Sequence, residues 1–266
     1  MTAIAGFLLA SGHYVDWWKL LATVLGISLI IGSGCVYNNY LDRNIDKKMQ
    51  RTKGRATALG LIGRRPALFY ATALGVLGFG LLLRFINTTT AIIGIIGLVD
   101  YVILYGYSKR KSVYGTLVGS ISGATPPLAG FTAVSGHLNT GGLLLFLILA
   151  FWQMPHFYAI AMFRLKDYKA AGIPVLPAKQ GIATTKLHIL VYIFWFVVAT
   201  MLLFFDGYVG IPYLVIMMVL GIWWLYSAAR GFRKGVDDTR WARGIFFQSL
   251  TVLTIFCIVV SASALL

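Results

Sequence analysis

Acidic residues are few in this chain: all eight are aspartate, and glutamate is absent. Against 23 Lys and Arg they leave a formal net charge of +15. In a soluble protein that excess would point to nucleic acid. Here charged residues of both signs make up only 12% of the sequence, 59% is hydrophobic and the mean hydropathy is +0.81. That composition excludes an ordinary soluble domain, so the positive charge speaks of membrane topology and anionic ligands instead. Cysteine is scarce too. Cys35 and Cys257 lie in apolar runs without metal-ligand spacing, which argues against a disulfide framework or a zinc site. A basic leader with a small-residue cleavage pattern is missing, so the first apolar piece does not read as a signal peptide.

What is abundant is apolar length. Runs that reach the roughly 20 residues needed to cross a bilayer are expected at about 18–37, 66–83, 90–107, 113–134, 141–161, 187–205, 210–228 and 244–265. Thr2 to Ala10 is too short to cross and is followed by the interfacial pair Trp17-Trp18. It is expected to be the second half of a span. The expectation is an all-α polytopic membrane bundle of nine transmembrane helices, the first incomplete, forming one domain over 1–266. Lys and Arg number 8 in 41–65, 3 in 108–112, 5 in 162–186 and 5 in 229–243, and the connections between these are nearly uncharged. The positive-inside rule places the basic loops in the cytoplasm and the carboxyl terminus outside.

The first basic loop opens with Asn38, Asp42 and Asp46 at i, i+4 and i+8, on one stripe of a helix leaving the membrane. Lys47, Lys48, Arg51, Lys53 and Arg55 follow. Mg²⁺ is held by one or two carboxylates plus phosphate oxygens, and basic side chains grip the same phosphates. The pattern suits a Mg²⁺-dependent diphosphate site at a membrane surface. It also suits an ordinary polar helix end at the membrane boundary, and the spacing alone leaves both readings open.

Other constellations lie on the same side. Tyr105 and Lys109 share a helix face, as a second phosphate grip or as interfacial snorkelling. Gly115, Gly119 and Gly123 form a small-xxx-small ladder that serves close helix packing or a groove for a bulky lipid, and Pro126-Pro127 should kink or interrupt that helix. His156, beside Pro155 in an apolar helix, is costly unless paired. A helix–helix hydrogen bond and a substrate contact both account for it. Asp100 is equally buried by position, as a polar contact between helices or as a site residue.

Taken together, Asn38-x-x-x-Asp42-x-x-x-Asp46 with Arg51-Thr52, Tyr105-x-x-x-Lys109, Tyr114-Gly115-Thr116, Trp152-Gln153-Met154-Pro155-His156, and Asp167-Tyr168 leading to Gly172-Ile173-Pro174 resemble the UbiA-type superfamily of intramembrane prenyltransferases. The last two stretches resemble its haem-modifying branch, and the likeness runs from about Ala3 onward. The resemblance implies a nine-helix bundle around a lipid-facing cavity in the bacterial plasma membrane. It implies farnesyl transfer from farnesyl diphosphate to a vinyl group of haem b, with Mg²⁺ as cofactor. Asn38, Asp42, Asp46 and Asp167 would hold the metal. Arg51, Tyr105, Lys109 and Lys166 would meet the diphosphate, with Arg55, Arg164 and His156 as further substrate-binding residues and Asp42, Asp46, Lys109 and Asp167 as the catalytic set. Membrane lipid, and haem-pathway or terminal oxidase proteins, are the partners it suggests. The superfamily's second motif carries paired Asp, whereas here Phe163 and Ala171 flank Asp167, and relatives begin with a Lys-Pro-containing segment. Two other readings remain: a sibling enzyme prenylating an aromatic quinone precursor, and a transporter with intramembrane Asp100 and His156.

Overall fold

The computed structural model describes residues 1–264, and its regular elements among those residues are all helices. The helices are α1 Thr2–Ser11, α2 Trp17–Leu41, α3 Arg43–Asp46, α4 Arg64–Phe85, α5 Thr88–Val99, α6 Tyr105–Lys111, α7 Gly115–Ser135, α8 Thr140–Phe163, α9 Leu165–Ala171, α10 Leu176–Lys179, α11 Gly181–Phe205, α12 Ile211–Arg230 and α13 Asp238–Ser263. A π-helical turn, Asp100–Leu104, joins α5 to α6 into one span, Thr88–Lys111.

Seven helices are long and apolar enough to cross a membrane: α2, α4, the α5–α6 span, α8, α11, α12 and α13. The protein is a polytopic membrane bundle. The expected nine spans therefore reduce to seven by length and composition. The others are α1, with only ten residues, and α7, which is long enough but carries Ser, Thr, Gly and two prolines.

That helix continues through Pro126 and Pro127, which were expected to kink or interrupt it, and it is not interrupted. Proline at 126 removes the N–H that would bond the Ser122 carbonyl, and the Thr125 hydroxyl donates to that carbonyl instead, at 2.7 Å. Protein on several sides supports it, since α7 packs against α1, α5 and α8. Against α1 the backbones meet directly. A Cβ on Gly6 would lie 2.1 Å from the Pro127 carbonyl oxygen, and one on Gly130 would lie 2.0 Å from that of Ala3.

The main apolar core lies among α8, α11, α12 and α13, with Leu145, Ile148, Ile189, Phe196, Trp224, Val252 and Phe256 fully buried. Outward positions such as Phe69, Val76, Leu83, Val219 and Ile258 are exposed. This is the reverse face that lipid requires, where apolar surface carries no penalty. Residues of α2, α5–α6, α7, α8 and α13 bound a central hollow.

Candidate active site

The hollow is a cavity of about 1050 Å³ that takes side chains from α2, the 47–55 loop, α5–α6, α7, α8, the 173–175 segment and α13. Its polar end starts where α2 stops. The sequence pattern predicts one continuous helix through Asn38, Asp42 and Asp46, but α2 ends at Leu41 and α3 restarts at Arg43. The stripe survives the break because the Asp42 amide still donates to the Asn38 carbonyl and the Asp46 amide to that of Asp42, both at 2.8 Å. All three side chains are buried and line the cavity.

The loop that follows folds back over this helix end. Thr57 donates to the Asn39 carbonyl at 3.1 Å, Met49 and Thr52 are buried, and Arg55 reaches Asp46 at 2.9 Å. From α6, Lys109 donates to Asn38 at 2.5 Å and also to Asp42, and Arg110 donates to the other Asp42 oxygen at 2.8 Å. Each carboxylate thus meets a cation supplied by the chain itself. Buried carboxylates demand such charge compensation.

The glycine ladder explains how α6 comes so close. A Cβ on Gly115 would lie 2.7 Å from the Lys109 Cα, one on Gly119 would lie 2.7 Å from the Tyr105 ring, and one on Gly123 would overlap the Gln153 amide. Three successive rungs of α7 seat three cavity-lining side chains. The ladder is therefore a groove as well as a packing surface.

Of the sequence candidates, Asn38, Asp42, Asp46, Arg51, Arg55, Tyr105, Lys109 and Arg164 line this one cavity. Three do not. Lys166 is exposed on α9 and is not one of the lining residues. Asp167 stands outside the lining, 3.9 Å from Arg164, although the next residue, Tyr168, lines the cavity. Burial raises the Tyr168 phenol pKa, opposed by the nearby Arg51 charge. His156 bonds Ser249 of α13 at 2.7 Å and stacks on Trp152, while its neighbours Phe157 and Phe246 form the wall. It acts as the helix–helix hydrogen bond. Among the described residues no three carboxylate, imidazole or thiol groups are gathered as a metal cluster. Asp100, the other buried polar candidate, accepts from the Ser122 amide at 2.9 Å and joins α7 to the π turn.

Sequence reasoning missed Arg110, Gln153 and Arg243. Arg110 sat in a basic run that looked like a topology signal, and Gln153 lay inside the Trp-Gln-Met-Pro-His stretch where His156 drew the attention. Arg243 lies 76 positions beyond Asp167, and only the fold returns α13 to the cavity.

A membrane-embedded helical bundle with an acidic and basic cluster at one end of an apolar cavity defines a lipid-handling enzyme class. Residues 1–250 match the UbiA prenyltransferase family, and the chain belongs to that family. Within it, the chain is 50% identical over 262 residues to the protoheme IX farnesyltransferase of Sodalis glossinidius (strain morsitans), covering 98% of this chain and 88% of that one. It is 48% identical over 262 residues to the one from Aeromonas salmonicida (strain A449), covering 98% and 89%. The fold is similar to that of digeranylgeranylglyceryl phosphate synthase, with TM-score 0.80 and 22% identity over 99% of this chain and 92% of that one. It is also similar to a UbiA homologue from Archaeoglobus fulgidus bound to DMAPP and Mg²⁺, with TM-score 0.71 and 14% identity over 98% and 93%.

Proposed function

We propose that this chain is a protohaem IX farnesyltransferase, which joins the farnesyl group of farnesyl diphosphate to a vinyl group of haem b and gives haem O. The observation that carries this reading is the cavity itself. Its Asn38–Asp42–Asp46 face and its Lys109, Arg51 and Arg55 cations stand at one end of a large apolar space. The similarity to protohaem IX farnesyltransferases supports the choice of substrates.

The donor set fits Mg²⁺. Asn38, Asp42 and Asp46 offer only oxygen, the ligand that this hard ion prefers, and Asp42 and Asp46 already face cations. These three residues, with Asp167 drawn in from α9, would hold the metal. When bound, it supplies Lewis-acid neutralisation of the diphosphate. Lys109, Arg110 and Arg55, displaced from the carboxylates, together with Arg51 and the Tyr105 hydroxyl, bind the diphosphate oxygens. They stabilise the negative charge that grows as the C1–O bond breaks. The apolar walls keep water from the allylic cation until the vinyl carbon attacks it; water then adds to the carbocation left on the former vinyl group and loses a proton, which gives the hydroxyethylfarnesyl side chain of haem O.

We read the bundle as nine helices at the membrane, with α7 crossing among its protein neighbours and α1 covering about 15 Å by its ten residues. The whole acts as one domain with the basic loops in the cytoplasm. Haem-handling membrane proteins that deliver haem b and use haem O are the partners this chemistry calls for.

The test is product analysis in membranes supplied with haem b, farnesyl diphosphate and Mg²⁺. A farnesylated haem of haem O mass is expected, absent when Mg²⁺ is chelated. Prenylation of an aromatic acid in its place would favour the sibling enzyme.

A further inference from the structure

The cavity has a second pair of cations, which form no ion pair with Asp42 or Asp46. Arg164, at the end of α8, and Arg243, in the second turn of α13, both line the cavity. Their guanidinium carbons each lie 5.9 Å from the centre of the same Phe163 ring. Below them Phe157, Ile160, Phe246 and Phe247 continue the wall inward. Arg243 has no carboxylate partner among the described residues, and Arg164 has only the 3.9 Å contact with Asp167. The cations on the diphosphate side are engaged differently: Lys109 and Arg110 both meet Asp42, and Arg55 meets Asp46. Two forks flanking an aromatic wall, one of them with no acid of its own, form a corner built for an anion attached to a flat apolar body.

We propose that Arg243 and Arg164 receive the two propionate carboxylates of haem b, with the macrocycle lying along Phe163, Phe246 and Phe157. The inference rests on haem b being the acceptor. Arg binds carboxylates in bidentate fashion and stacks on aromatic faces, and both guanidiniums already lie over the Phe163 ring. The propionates stay at the polar rim where α8 ends. The vinyl edge of the ring, remote from them, is thereby turned into the apolar depth of the cavity. The cations assigned to the diphosphate come instead from α6 and the 47–55 loop. The two substrates therefore use different cations, and each can be weakened without the other.

The experiment measures farnesyl transfer by the full-length chain in membranes, using haem b and its dimethyl ester, in which both propionates lose their charge. For the unaltered chain, the ester is expected to raise the acceptor KM about tenfold or more, as loss of charge-assisted hydrogen bonds implies. Arg243→Gln should raise the KM for haem b by a similar factor and leave the KM for farnesyl diphosphate unchanged. The ester should then cost that variant less than it costs the unaltered chain, and Arg243→Lys should restore part of the loss. Equal use of haem b and its ester by the unaltered chain would overturn the proposal without any variant. So would a full ester penalty in Arg243→Gln, or an equal rise in the farnesyl diphosphate KM. Absence of farnesylated haem from the unaltered chain would instead sink the assignment of haem b as acceptor.

Discussion

Asp42 and Lys109 form a buried ion pair in the cavity wall, and the proposed function predicts different effects of changing them on stability and on activity. The Lys109 and Asp42 side chains are only 11% and 10% exposed. Removing one partner of a buried pair costs about 3–5 kcal/mol when the other is left alone. Asp42 keeps Arg110, however, so Lys109→Met should cost less than that range in unfolding experiments in detergent. Its farnesyl transfer should fall by about a hundredfold or more if Lys109 neutralises the departing diphosphate as proposed. Asp42→Ala should abolish haem O formation in the mass assay. Lys166→Ala, on an exposed position away from the cavity, should retain the activity of the unaltered chain. The sequence pattern made Lys166 and Lys109 look alike, since both are lysines beside a polar motif, and local pattern carries no information on which side of a helix faces a cavity formed by distant segments.

At the scale of elements, α7 decides the shape of the site. Its glycines at 115, 119 and 123 seat Lys109, Tyr105 and Gln153, and its glycine at 130 meets α1. These two sets of glycines predict different failures. Gly119→Val would push the Tyr105 ring, a cavity side chain, and should lower activity at least tenfold with a small change in unfolding temperature. Gly130→Val would drive a side chain into the Ala3 backbone, which cannot rotate away, and should destabilise the bundle by about 1–3 kcal/mol, as overpacking does. Thermal unfolding and turnover measured on both variants separate the two. The ladder was legible in the sequence as a spacing. What lay against each rung was not, because Gln153 is 30 positions from Gly123 and reaches it only through the packing of α8 on α7.

For the molecule as a whole, the arrangement of loops is the testable property. Single cysteines at Lys53 and Lys234, in a chain with Cys35 and Cys257 replaced by Ala, should react with an impermeant thiol reagent only from the cytoplasmic side. A cysteine at Leu138 should react only from the opposite side. The reverse pattern would invert the bundle and with it the face from which farnesyl diphosphate enters. The alternation of basic and nearly uncharged connections is the sequence feature from which this orientation is expected. The number of spans was less readable: α7 has the length of a span but the polarity of a buried helix, and hydropathy alone does not see the neighbours that shield it.

The linear chain by itself determined the membrane-embedded helical class, the clustering of charge in the connections and the oxygen-rich stripe Asn38, Asp42 and Asp46. Those follow from local properties, namely apolar run length, charge and the helical repeat. The tertiary structure alone decided that Lys109 and Arg110 neutralise Asp42, that His156 bonds Ser249 behind the wall, and that Arg243 reaches the cavity from the far end of the chain. Each of those depends on packing between helices far apart in sequence, and the close approaches that permit it are set by which glycine faces which neighbour.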